Sequence, residues 1–156
     1  MDLQGTSFIG ADRGIGGAGE SRAFNPVSGE ELNPVYHAEG EEAVEAACLL
    51  ADEAFIEFRE KSGEEKAVFL RTIADEIDGV EDDIVARMTE ETALPEGRCR
   101  MEKGRTCSQL RLFADLLGEG SWVDARIDHA DPGRAPVPKP DCRSMWRPLG
   151  PVVVFC

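Results

Sequence analysis

Apolar positions in this chain fall into helical stripes, then an alternating stretch, then one continuous run. From Glu41 to Phe58, the residues Val44, Ala47, Cys48, Ala51, Phe55 and Phe58 recur at helical spacing, with acids opposite. This predicts an amphipathic helix that carries Cys48 as a core thiol on its buried stripe. Glu39, Glu41 and Glu42 sit at its start, where the positive end of the helix favours them. Ser62, with Glu65 three residues on, reads as a capping box for a second helix. Leu70, Ile73, Ala74 and Ile77 form its inward face, and Gly79 breaks it. It resumes over Glu81 to Glu91 with Ile84, Val85 and Met88 inward, until Leu94-Pro95 stops it. A third helix opens at Pro95 or Glu96 and runs to about Leu117, ended by Gly118. Its apolar face is Leu110, Phe113, Ala114 and Leu117.

Extended pieces flank the helices. Asn25-Pro26-Val27-Ser28-Gly29 is a turn between short strands near Arg22 to Phe24 and Glu31 to Tyr36. Pro34 confines the second to a sheet edge, so a surface hairpin is expected. After the helices, Ser121 to His129 alternates with period two, as a half-exposed strand does. Asp131-Pro132-Gly133 turns the chain, and Pro136, Pro138 and Pro140 stiffen the connector. Cys142 to Arg147 then returns antiparallel, giving a ribbon that needs something to pack against. Val152 to Phe155, after Gly150-Pro151, is a β-branched apolar run of the kind buried on both faces of a parallel sheet. Parallel neighbours come from crossover units further along a chain. The run is therefore expected to lead into a sheet that these residues do not complete.

Composition narrows the function classes. With 156 residues and 42% hydrophobic content, the chain can form a core. It carries 31 acidic and 17 basic residues, a net charge of −14. A polyanion of this kind is not expected to bind nucleic acid or an anionic membrane surface. Met1 to Gly10 lacks the basic and apolar regions of a secretory leader, and no apolar run approaches the roughly 20 residues of a membrane helix. The five cysteines are odd in number and form no C-x-x-C pair. Reduced thiols and a cytoplasmic setting are expected.

Candidate chemistry is sparse. Gly14-Ile15-Gly16-Gly17-Ala18-Gly19 matches G-x-G-x-x-G, but Asn25-Pro26 follows too soon for the helix a dinucleotide loop must open. A flexible arm is the preferred reading there. The acid-rich stretches Glu64-Glu65, Glu81-Asp82-Asp83 and Glu90-Glu91 read as solvated helix faces, not a metal site. His129 lies far from His37 and is not expected to be catalytic. Arg98, Arg100, Lys103, Arg105 and Arg111 make the third helix basic, suited either to acidic neighbours or to an anion.

Taken in order, these pieces resemble the N-terminal part of the aldehyde dehydrogenase superfamily, and among its branches the bacterial α-ketoglutaric semialdehyde (2,5-dioxovalerate) dehydrogenases. The resemblance lies in Phe24 to His37, Gly104 to Ala114, Gly120 to Asp128 and Arg147 to Phe155. It implies an α/β fold seen from its front: hairpin, three helices, an oligomerisation-type ribbon and the first strand of a Rossmann-like sheet. The expected division is an arm over 1–21, hairpin and helices over 22–120, the ribbon over 121–147 and the sheet strand over 148–156. The implied activity is oxidation of an aldehyde to a carboxylate with NAD or NADP, by a cysteine nucleophile and a glutamate base. In the family those residues and the cofactor cradle lie beyond this stretch, so none is assigned here. The resemblance places Arg105 near the substrate entrance, where a guanidinium can grip a distal carboxylate. It further implies homo-oligomers through 121–147. Cys156 stands where the family usually has glycine, as a gene-fragment boundary would leave it. A non-catalytic helical interaction module, docking to a partner or to intact subunits, is the alternative expectation.

Overall fold

The computed structural model describes residues 3–155, so expectations placed on Met1, Asp2 and Cys156 lie outside it. Helices dominate: α1 (Glu41–Phe58), α2 (Gly63–Gly79), α3 (Glu81–Thr92) and α4 (Glu96–Glu119). The described strands form three antiparallel pairs: β1 (Phe8–Ile9) with β2 (Asp12–Arg13), β3 (Gly19–Ser21) with β4 (Tyr36–Ala38), and β5 (Arg126–Asp128) with β6 (Cys142–Ser144).

The core lies between α2, α3 and α4. Ala67, Ala74, Val85, Cys99, Cys107 and Ala114 are its buried apolar residues. Most are small, and small residues let helix backbones approach closely. At one crossing the approach is tight enough that a Cβ on Gly63 would overlap the Leu117 carbonyl oxygen. The capping box forms as the sequence predicts. Glu65 N donates to Ser62 Oγ at 3.2 Å, and Ser62 N donates to Glu65 Oε2 at 2.8 Å. The break between α2 and α3 falls on Val80, at φ −116° and ψ 23°, rather than on Gly79, which is the last residue of α2. What reads as one interrupted helix is two helices, and the second starts on Glu81, Asp82 and Asp83 at its positive end.

Two details of α4 differ from expectation. Its stop is Gly120, not Gly118, because the left-handed cap (φ 84°) follows the last turn and donates to the Leu116 carbonyl at 3.0 Å. Its buried row is Cys99, Lys103, Cys107 and Ala114, while Phe113 is half-exposed. The close α2–α4 seam selects small side chains, and a phenyl ring does not fit it.

α1 has the predicted bounds, yet its stripe is largely uncovered. Cys48, expected in a core, is exposed. The described elements do not cover that face. α1 meets β1, and its last residue Phe58 meets Phe69 of α2 edge-to-face at 6.0 Å. Gly150, Pro151 and Val152 line a shallow groove with Ala51, Phe55 and Phe58 of α1.

The segment expected as a flexible arm, 1–21, contains β1, β2 and β3. Around the Asn25 turn, Gly29 N donates to the Asn25 carbonyl at 2.7 Å and Phe24 bridges Glu31. The full strand pairing lies further out than expected, with Glu20 opposite His37. In the ribbon, Ser121–Val123 is a 3-10 turn, so the strand is shorter than the alternation suggests. Ile127 faces Arg143 across β5 and β6, and the Asp131–Lys139 bridge closes the far end. Val152 to Phe155 has no assigned secondary structure, no strand pairs with it among the described residues, and Phe155 is 94% exposed.

Candidate functional site: the two cation faces of α4

The structure sorts the cations of α4 into an inner and an outer set. Lys103 is only 8% exposed. Its Nζ donates to Asp78 Oδ1 at 2.6 Å and also contacts Glu81. Arg100 bonds Glu81 at 2.6 Å, Asp82 at 3.0 Å and Glu96 at 2.7 Å. Arg111 Nη2 bridges Asp75 at 2.7 Å and Asp78 at 2.6 Å. Donation from Lys103, then from Arg111, holds the Asp78 carboxyl well below the usual range. Lys103 and Arg100 lower Glu81 in the same way, and the cations move up in return. The inner set therefore neutralises the acids of α2 and α3.

The outer set is Arg98 and Arg105, which share one acid. Glu102 accepts from Arg98 Nη2 at 2.5 Å and from Arg105 Nε at 3.0 Å. Arg105 first, then Arg98, holds the Glu102 carboxyl below its usual range. The Arg105 side chain is 72% exposed. Met101, Leu112 and Leu116 lie on the same side at four- and seven-residue spacings and are exposed. Arg105 is thus a cation on an apolar strip, with a single half-shared counterion among the described residues. The basic pattern of α4 points to Arg105 but not to Glu102, although their three-residue separation on a helix signals the pair.

Other candidates recede. Gly14 to Ala18 forms a loop between β2 and β3, and Gly19 opens β3, so the motif is not a strand-to-helix turn. Gly16 N donates to Glu39 Oε2 at 3.1 Å, and a Cβ on Gly14 would overlap the same carboxylate. The Gly16 amide is thus already taken by a carboxylate, where a phosphate-binding loop presents its amides to the ligand. Cys107 is buried against the Ala74 carbonyl at 3.6 Å, and burial pushes its thiol up, the reverse of activation. Cys99 is buried beside Thr89 at 3.5 Å. His129 is exposed on the β5–β6 connection. Among the described residues no cluster of three or more His, Cys, Asp or Glu side chains could hold a metal, and no helix is long and apolar enough to cross a membrane.

Residues 16–156 match the model of the aldehyde dehydrogenase family. The chain belongs to that family. It is 44% identical over 156 residues to α-ketoglutaric semialdehyde dehydrogenase 2 of Azospirillum brasilense, which covers 99% of this chain and 30% of the relative. It is 33% identical over 151 residues to α-ketoglutaric semialdehyde dehydrogenase of Acinetobacter baylyi, covering 97% of this chain and 29% of that one. The chain thus spans about three-tenths of the length of these relatives. Among solved structures it resembles succinate-semialdehyde dehydrogenase from Burkholderia pseudomallei, with TM-score 0.72 and 24% identity over 81% of this chain and 26% of that chain. It also resembles an NAD-dependent benzaldehyde dehydrogenase from Corynebacterium glutamicum, with TM-score 0.71 and 18% identity over 81% and 27%. At these identities the solved structures show the fold. As an aldehyde dehydrogenase segment, the chain has the partial α/β architecture its sequence resembles.

Proposed function

We propose that this chain is the front portion of an NAD- or NADP-dependent aldehyde dehydrogenase that oxidises an acidic semialdehyde, such as α-ketoglutaric semialdehyde, to the carboxylate in the cytoplasm. The observation that carries the reading is 44% identity along the whole chain to an α-ketoglutaric semialdehyde dehydrogenase. In this reading the cofactor is held by residues outside this stretch, because its one glycine-rich loop is occupied by Glu39. The family resemblance puts the nucleophile outside this stretch as well, and burial pushes the Cys107 thiol up, away from activation. By itself the chain therefore reduces no nicotinamide cofactor. Arg105 anchors the distal carboxylate at the entrance, supported by its exposure and its apolar neighbours.

The test is a graft of this chain in place of the matching segment of the Azospirillum enzyme. The graft is expected to oxidise the semialdehyde, and the separate chain is not. Arg105→Ala in the graft is expected to raise KM for the semialdehyde acid by about ten- to a hundredfold, the worth of one charge-assisted pair. KM for a neutral aldehyde of similar length should stay put. Equal effects on both substrates would remove Arg105 from the site, and turnover by the separate chain would overturn the rest.

A second reading is favoured by one observation. The β5–β6 ribbon and its apolar side chains Ile127, Met145 and Trp146 are exposed. Exposed apolar patches mark association surfaces. In this reading the chain is a non-catalytic module that joins copies of itself or intact subunits through 121–147. Association through this ribbon is expected of either reading, so activity of the graft separates them. An inactive graft whose separate chain still associates, and loses that association in Ile127→Lys by light scattering, would support the module.

A further inference from the structure

Two arginines of α4 converge on one carboxylate. Glu102 Oε1 accepts from Arg98, and Glu102 Oε2 accepts from Arg105 through Nε alone. A guanidinium has five N–H donors, and a carboxylate is best held by a parallel pair of them. Among the inner cations, Arg100 uses Nε, Nη1 and Nη2 on three acids, and Arg111 grips two acids through Nη2. The terminal Nη1/Nη2 edge of Arg105 carries no partner among the described residues. We propose that Glu102 is a positioning and specificity-setting residue: it fixes Arg105 through Nε, leaves the terminal edge for an ω-oxo carboxylate, and by its charge sets how tightly that carboxylate is held. Arg98 completes the device by drawing one Glu102 oxygen away from Arg105. The inference rests on the reading of Arg105 as the substrate anchor.

The sign follows from charge. Glu102→Gln keeps an oxygen that can accept from Nε, so Arg105 stays oriented. It removes a negative charge that repels the incoming carboxylate a few ångströms away, which at surface dielectric and physiological salt alters binding by about three- to tenfold. In the grafted enzyme, Glu102→Gln is expected to lower KM for the semialdehyde acid by that factor. The kcat and the KM for a neutral aldehyde should stay unchanged, and the effect should shrink as salt is added. Arg98→Gln frees Glu102 to bear on Arg105 and is expected to raise the same KM several-fold. An unchanged or raised KM in Glu102→Gln, or equal change for both substrates, overturns the inference. If Arg105→Ala is selective for the acid while Glu102→Gln is not, this inference falls and the anchor stands. If Arg105→Ala is itself unselective, both fall. Should the graft lack activity, glutarate is titrated into the chain itself while the Arg105 Nε–H NMR signal is followed. Tighter binding by Glu102→Gln is expected, and absence of any Arg105 response overturns the proposal.

Discussion

Asp78 is gripped from two turns of α4 at once, by Lys103 at 2.6 Å and by Arg111 at 2.6 Å. Glu81, across the α2–α3 break, shares the same lysine and adds Arg100. Both carboxyls titrate below their usual values in the folded chain. For a carboxylate depressed by folding, the stabilisation is complete above the unfolded value, near 4. It is lost as pH falls through the folded values. Melting temperature is therefore expected to hold from neutral pH to about 5 and to fall steadily below about 4. Asp78→Asn should flatten that acid arm while leaving Lys103 paired with Glu81. Circular dichroism melts at stepped pH check this, and an acid arm unchanged by Asp78→Asn would exclude the network as its cause. From sequence, the basic character of α4 was visible but its division was not. Arg100, Lys103 and Arg111 differ from Arg98 and Arg105 only in helical angle, and the angle matters once α2 and α3 are in place.

At the scale of elements, the α2–α4 seam sets the tolerances. Gly63 opens α2, and a Cβ there would overlap the Leu117 carbonyl oxygen, a backbone atom that cannot swing aside. Helix propensity alone favours Ala over Gly by up to about 1 kcal/mol. Overpacking typically costs about 1–3 kcal/mol, so the steric effect wins and Gly63→Ala is expected to destabilise. Gly104, in the middle of α4, has open space where a Cβ would go. Gly104→Ala is therefore expected to stabilise by up to about 1 kcal/mol. Urea melts of the pair measure both, and the same sign for the two would refute the close-approach account. The seam also explains which parts of the fold were legible. The α1 bounds and the Ser62–Glu65 box follow from local signals that need no partner. The inward row of α4 does not, because Cys99, Lys103 and Cys107 are buried by the nearness of α2, not by their own apolarity. Phe113 has the stronger hydrophobic signal and is left half in solvent. The strands within 1–21 were not legible for a related reason: β1 and β2 are two residues each and carry no period to detect.

Across the whole molecule, the buried apolar set is confined to α2, α3 and α4, while the longest apolar features are exposed. Val44, Leu49 and Ile56 of α1 and Val152, Val153, Val154 and Phe155 all face solvent. The apolar run Val152 to Phe155 suggests a sheet strand by composition, but among the described residues no strand is assigned there and none pairs with it. Burial, not helix propensity, supplies most of the stability of a helix of ordinary length. The α2–α4 body should therefore unfold as a unit, with α1 and residues 149–155 contributing little to it. The isolated chain is expected to bind a hydrophobic dye in its native state, to give a helical circular dichroism spectrum, and to melt over a broad range. Ala74→Leu, aimed at the buried seam, should lower the midpoint, since overpacking there costs about 1–3 kcal/mol. Val153→Ser, aimed at the exposed run, should leave the midpoint unchanged and reduce dye binding. The net charge of −14 adds self-repulsion that salt screens, so moderate salt should raise the midpoint of every variant alike. A sharp melt with no dye binding would mean that the α1 stripe finds cover in solution, and Val153→Ser would then destabilise instead of passing unnoticed.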